Sequence, residues 1–244
     1  MKVMIAGATS AIAGAVARKF AGEGNELFLV ARNADRLDAV SDHLAVCGAR
    51  RIEKHLADLN CIESHRDIVA AAVEKLGGLD LVLIAHGVLG DQKLSEADSK
   101  ELAKGLTANF VSAASLSMVA AKHFERQASG CLAVITSVAG DRGRRSNYAY
   151  GAAKGGMSIF LQGLRDRLKA SGVSVVDLKL GFVDTPMTAS VPKNPLFVDA
   201  DRAAAGIFRA IQKKRGVAYV PWFWRPIMLA VRAIPGPIFR RLPL

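Results

Sequence analysis

Residues 2–16 read KVMIAGATSAIAGAV. The first five form a short, largely apolar run that fits a buried β-strand, and Gly7 opens a turn into a helix expected over about 11–23. The chain then alternates in hydrophobic periodicity. Further strands are expected at 26–30, 51–56, 79–85, 131–137, 174–180 and 217–220. Further helices are expected at 33–46, 61–76, within 96–128, at 147–170 and at 199–214. Strands alternating with helices imply a parallel sheet covered on both faces. Strands as continuously apolar as LDLVLIA (79–85) fit burial on both sides. The sequence therefore predicts an α/β fold, a doubly wound parallel sheet of Rossmann type, as a single domain over 1–220 with a basic, apolar tail over 221–244.

At 244 residues, 51% of them apolar, the chain can bury a large core. Cys47, Cys61 and Cys131 form no CxxC pair and no Cys/His cluster, which points to a reducing compartment and away from a metal site. The N-terminus runs straight into a strand, so a signal peptide is not expected and the location is read as cytoplasmic. The net charge of +11 is uneven: residues 202–244 carry nine Lys or Arg and no acid. This asymmetry suggests an anionic partner. Aromatic residues outside the tail are few and not interleaved with basic ones, which argues against nucleic acid.

In a sheet of this kind ligands bind outside the carboxyl ends of the strands. Gly7, Arg32, Asp58, Ala85, Ser137 and Gly181 all fall at or just past expected strand ends. At Gly7 the turn continues through Thr9, Ser10, Ala11 and Ile12, whose backbone N–H groups at a helix N-terminus suit a pyrophosphate. Ala11 and Ala13 stand where further glycines are usual. At the end of the second strand an acid would bond the ribose 2′-OH of NAD, whereas an arginine can pair with the 2′-phosphate of NADP. Arg32, followed by Asn33, stands there, so NADP(H) is favoured with NAD(H) as the alternative.

The stretch from Ser137 to Lys154 carries the chemistry: SVAGDRGRRSNYAYGAAK. Tyr150 and Lys154 are four residues apart and share one face of a helix. A neighbouring ammonium lowers a phenol's pKa, and a phenol so tuned can exchange a proton with a substrate oxygen. Ser137, at a strand end, can hold that oxygen. Three groups converging on one oxygen suit the interconversion of a carbonyl and an alcohol.

Together these residues resemble the short-chain dehydrogenase/reductase family over residues 1–220. The resemblance rests on the turn Gly7–Ala13, Asp58-Leu59, Ala85-His86-Gly87, Asn109, Ser137, Tyr150-x-x-x-Lys154 and Gly181-Phe-Val-Asp-Thr185. It implies that Tyr150 is the general acid/base, that Lys154 lowers its pKa and bonds the nicotinamide ribose, and that Ser137 orients the carbonyl. It implies that Asn109 holds a water linking Lys154 to solvent. It places Asp58 and Leu59 at the adenine, Ala85 and Gly87 at the adenine-side ribose, and Val183 and Thr185, with Gly181, at the nicotinamide. It also implies a dimer or tetramer. Three positions depart from the family pattern: Ile84-Ala85-His86-Gly87 replaces Asn-Asn-Ala-Gly, Leu180 replaces a proline, and Ala11 replaces a glycine. His86 could face the cofactor or substrate cleft.

Two features bear on the substrate. Arg142, Arg144 and Arg145 lie in the loop between Ser137 and Tyr150, and arginine suits bidentate binding of phosphate. The tail PWFWRPIMLAVRAIPGPIFRRLPL is apolar, aromatic and basic, which suits a membrane interface, but its longest apolar run is too short to span one. A short helix is expected to start at Pro226 and to end before Pro235. With the turn Gly87–Gln92 and the arginine loop, the tail resembles one branch of the family, the decaprenylphosphoryl-2-keto-ribose reductases of cell-wall arabinose synthesis. That resemblance implies a lipid-linked keto-sugar met at the inner face of the membrane. A soluble reductase of a small ketone, with the tail packed on the domain or between subunits, and a non-catalytic dinucleotide-binding scaffold are the alternatives.

Overall fold

The structure is a computed structural model that describes residues 1–242; Pro243 and Leu244 of the expected tail lie outside the described residues. In chain order the elements begin β1 (Lys2–Ala6), α1 (Ala11–Gly22), β2 (Glu26–Ala31), α2 (Ala34–Val46), β3 (Arg51–Leu56), α3 (His65–Leu76) and β4 (Leu81–Ile84). Then come α4 (Gln92–Ala97), α5 (Ser99–Leu106), a π-helical turn (Thr107–Val111), α6 (Ser112–Gln127), β5 (Cys131–Ser137) and a 3₁₀ turn (Val138–Asp141). The chain closes with α7 (Tyr148–Leu168), β6 (Ser174–Leu180), α8 (Ala200–Gln212), β7 (Val217–Val220), α9 (Trp224–Ala233) and α10 (Gly236–Phe239).

All seven strands pair in parallel, in the order β3-β2-β1-β4-β5-β6-β7. The apolar strands explain the burial on both faces. On one face Val3, Ile5, Leu27 and Leu29 pack under α1, α2 and α8 through Phe20, Leu37 and Ile207. On the other, Met4, Phe28, Val82 and Val134 pack under α3, α6 and α7 through Ile68, Phe124 and Met157. Strand order reverses between β1 and β4, which opens the crevice where such sheets bind ligands.

The helices start where side chains satisfy their first N–H groups. Ser10, Asn33, Asp91, Asp98 and Asp199 each accept such a bond, at α1, α2, α4, α5 and α8. Gly7 has φ +85°, and a Cβ there would lie 2.8 Å from the backbone nitrogen of His86. Both the turn and the close approach of β1 to the segment after β4 therefore require glycine.

Two regions differ from the sequence expectation. The helical stretch expected within 96–128 is divided, because Asp91 and Asp98 start two short helices and the π-helical turn interrupts the chain before α6. In the tail, α9 begins at Trp224 rather than Pro226. Trp224 is buried with Met228 against Val138, and this packing sets the helix start. Pro226 sits in the first turn, where a missing N–H is tolerated. Among the described residues no helix is long and apolar enough to cross a membrane.

Candidate active site

At the carboxyl ends of β1, β4, β5 and β6 lies a cavity of about 600 Å³. The turn after β1 (Thr9, Ser10, Ala11, Ile12) and the segment after β4 (Ala85, His86, Gly87) form one wall. Ser137, Tyr150, Lys154 and Asn109 line it, as do Gly181, Val183 and Thr185 after β6. The structure thus brings together most of the residues singled out in the sequence, from positions far apart in the chain.

Ser137 is the last residue of β5, and its Oγ accepts a bond from the Ala139 N–H at 3.1 Å and donates to the Leu180 carbonyl at 3.4 Å. Tyr150, half-buried, stands in the first turn of α7. Lys154, one turn on, is 4% exposed, and its Nζ donates to the Ile135 carbonyl at 3.1 Å and lies 5.9 Å from the centre of the Tyr150 ring. Asn109 sits in the π-helical turn, a feature often found at functional sites. Its Nδ2 donates to the carbonyls of Val88 at 2.8 Å and Gly105 at 2.9 Å, and its Oδ1 accepts from the Val88 N–H at 3.2 Å. A Cβ on Gly87 would lie 2.6 Å from that Oδ1 and 3.4 Å from the Lys154 ammonium. Only a residue without a side chain lets the backbone pass so close to both groups.

Burial dominates the electrostatics. It pushes the Tyr150 phenol up to about 12, with the Ser137 hydroxyl pulling the other way. The sequence expectation was a phenol lowered by the lysine; here desolvation outweighs every other influence, and the net direction is upward. Burial takes Lys154 down to about 8, opposed by the charge of Asp177. His86 is lowered to about 3, first by burial and then by Lys154 and His65, so its ring is neutral. Its Nε2 lies 2.8 Å from the Ser112 Oγ, whose own hydrogen goes to the Leu59 carbonyl. The imidazole is therefore the donor to Ser112, and His86 braces β4 against α6 beside the cavity.

At the nucleotide end the hydroxyl of Ser10 is occupied in capping α1, and the carboxamide of Asn33 caps α2 by accepting from the Arg36 N–H at 2.8 Å. Arg32 lines an adjoining cavity of about 310 Å³ with Asn60 and Lys104. Arg36, which the sequence reading did not single out, lines the main cavity beside the β1 turn. The signal was available: Arg36 lies four residues after Arg32, in the first turn of the helix that Asn33 caps. Asp58 is exposed and accepts from the Asn60 N–H at 2.9 Å, Leu59 is buried, and neither lines either of these two cavities.

The profile of the short chain dehydrogenase family matches residues 1–196. The chain belongs to this family. It is 36% identical over 241 residues to an uncharacterized oxidoreductase of Mycobacterium tuberculosis strain H37Rv, covering 99% of this chain and 96% of that one. It is 32% identical over 241 residues to an uncharacterized oxidoreductase of Streptomyces coelicolor, covering 98% and 95%. In fold it matches a short-chain type dehydrogenase/reductase from Mycobacterium ulcerans, with a TM-score of 0.80 at 21% identity over 89% of this chain and 86% of that one. It also matches levodione reductase, with a TM-score of 0.80 at 22% identity over 89% and 94%. This short chain dehydrogenase is thus an oxidoreductase of a family that binds NAD(P). The Gly7 turn, the bare backbone at Gly87 and the two adjoining cavities fit a dinucleotide.

The three loop arginines of this family member have different surroundings. Arg142 turns to the tail, where its Nη1 donates to the carbonyls of Val231 at 2.5 Å, Ile234 at 2.7 Å and Arg232 at 3.2 Å. Arg144 lines the cavity, its Nη2 is 3.7 Å from the Met228 sulfur, and its buried Nε has no hydrogen-bond partner. Arg145 is exposed and lines neither cavity. The same cavity is also lined by Asn147, Phe182, Met187 and Val191.

Proposed function

We propose that this oxidoreductase is an NADP(H)-preferring enzyme that interconverts a carbonyl and a secondary alcohol. One observation carries the reading: Ser137, Tyr150 and Lys154 line one cavity with the glycine turn of β1. When bound, the nicotinamide supplies or accepts the hydride. Ser137 Oγ orients the carbonyl oxygen. The Tyr150 phenol is protonated at neutral pH, so it can donate to that oxygen as the carbon gains its hydride. The resulting phenolate sits near the Lys154 ammonium, and Asn109, bonded to the Gly87–Val88 segment, closes the route by which the proton is restored. Arg32 and Arg36 support a preference for the 2′-phosphate of NADP(H), since Arg36 lines the main cavity and Arg32 the adjoining one.

The substrate is read as a carbonyl compound with an anionic group, possessed of a lipid portion as in the keto-sugar branch that the sequence resembles. Arg144 supports the anion, being a cavity guanidinium without a carboxylate partner among the described residues. The tail supports the lipid. Its outer face exposes Trp222, Leu229 and Ile238 beside Arg225, Arg232, Arg240 and Arg241. That face suits peripheral contact with an anionic membrane. The inner face favours a second reading, in which the tail serves only the fold or a subunit contact in a homo-oligomer and the substrate is a small soluble ketone: Trp224 and Met228 are built into the domain. A panel of lipid-linked keto-sugars and simple ketones, followed by NADPH oxidation with the full chain and with 221–244 deleted, separates the two. Equal turnover of the lipid substrate by both proteins would rule out the membrane reading.

A further inference from the structure

β6 places two charged residues, Asp177 and Lys179, on the sheet face that α7 covers. Asp177 is 1% exposed and Lys179 8%. A carboxylate at that depth is costly unless its surroundings compensate it. Burial pushes the Asp177 carboxyl up, and Thr136 of β5, Lys179, Ser158 of α7 and Arg165 favour its ionised form. The Thr136 hydroxyl donates to it directly.

The neighbouring cations are otherwise engaged. Lys179 pairs with Asp141, which also accepts from the Tyr219 hydroxyl at 2.7 Å. Arg165 donates to the carbonyls of Val175, at 3.0 Å, and Gly216. Lys154 remains. It lies one turn before Ser158 on the same face of α7, and its Nζ is tied to the carbonyl of Ile135, the residue before Thr136. Among the described residues no carboxylate lies within salt-bridge distance of it. On its cavity side are Tyr150 and the neutral ring of His86.

We propose that Asp177 is a positioning residue for the active site, a buried carboxylate set behind Lys154 that keeps the ammonium protonated through space while the Thr136 hydroxyl holds the carboxylate in place. The direction of its effect on Lys154 agrees, since the Asp177 charge opposes the loss of the lysine's proton on burial. The inference rests on the reading of Lys154 as a cofactor-binding group.

The test is the pH dependence of NADPH binding by the full chain, followed by cofactor fluorescence from about pH 6 to about pH 10, a range that spans the lysine's titration. Wild-type affinity should fall as pH rises through the region near 8 where Lys154 loses its proton. Lys154→Met should bind weakly without that fall. Asp177→Asn should bind like wild type at the acid end and lose affinity about one pH unit earlier, the low end of what removal of a neighbouring opposite charge does. Thr136→Val, which removes a bond favouring the ionised carboxylate, should move the fall the same way by less, and it decides the matter if Asp177→Asn does not fold. An unmoved fall in Asp177→Asn, or in Thr136→Val where only that variant folds, would overturn the proposal while Lys154→Met behaves as expected. A fall that persists in Lys154→Met would instead overturn the reading of Lys154.

Discussion

The guanidinium of Arg142 lies 3.8 Å over the ring of Phe239. The same side chain binds the carbonyls of Val231 and Ile234 at the end of α9. Carbonyls at a helix C-terminus lack intrahelical partners, and a cation there also complements the helix dipole. The loop between Ser137 and Tyr150 and the C-terminal segment are thus joined as one unit, with Trp224 and Met228 packed on Val138, the residue after Ser137.

Arg142→Ala should loosen that unit. The lost bonds to a charged donor are worth about 1–3 kcal/mol after partial exposure is discounted. The expected outcome is a melting temperature lower by several degrees and faster proteolytic cleavage within the tail, with NADPH binding retained. A cleavage rate equal to wild type would show that the tail is held by its apolar face alone.

Tyr150→Phe removes the proposed proton donor and leaves the ring. Turnover should drop by about two to four orders of magnitude, the range for loss of a general acid. NADPH affinity should stay within a few-fold. Retained turnover would remove Tyr150 from the mechanism.

Arg32→Ala and Arg36→Ala should each weaken NADPH binding by about ten-fold or more, since a charge-assisted bond is worth about 1.5–3 kcal/mol. NADH affinity should hardly change in either. Parallel losses for the two cofactors would mean that the arginines do not read the 2′-phosphate.

Replacing Trp222, Leu229 and Ile238 together by serine should abolish sedimentation with phosphatidylglycerol vesicles while leaving the melting temperature near wild type, because these side chains are 75%, 71% and 55% exposed. Zwitterionic phosphatidylcholine vesicles should bind the wild type weakly, because they lack the net negative surface charge that attracts the tail arginines. A wild type that ignores both vesicles, but whose dimer dissolves in the triple variant, would assign the face to a second copy of the chain.

Gly87→Ala should impair both cofactor binding and turnover. Its methyl group would fall 2.6 Å from Asn109 Oδ1, closer than carbon and oxygen can approach, so either the backbone after β4 or the π-helical turn must shift. Crystallographic or NMR comparison would locate the shift, and wild-type kinetics in the variant would contradict the tight packing.

The sheet and the cavity were legible in the sequence because both depend on local signals. Apolar runs mark the strands, Gly7 marks the turn, and strand ends of a parallel sheet converge in space whatever the loops do. Ser137, Tyr150 and Lys154 follow from the spacing of one strand end and one helix. Arg142 could not be read in this way, since its partners lie about ninety residues on and its loop neighbours Arg144 and Arg145 look the same in sequence. The division of the helical stretch after β4 was also hidden, because a periodic apolar pattern does not reveal a widened turn. Asp177 and Lys179 were visible as two charges inside an expected strand, SVVDLKL. Such charges in a strand covered on both faces mark a buried network, and that was the signal left unused.

The π-helical turn at Thr107–Val111 has a consequence for changes in chain length. A π turn holds one residue more than the α-helical turn it replaces. Deleting one residue there would let α5 and α6 fuse into an unbroken α-helix with no gap to bridge. Each residue of an α-helix turns the chain by roughly 100°, so the fusion would swing the carboxamide of Asn109 away from Val88 and Lys154. The deletion would look harmless to the helix and would dismantle the site. In a redesign of this segment, residue count would have to be conserved before residue identity.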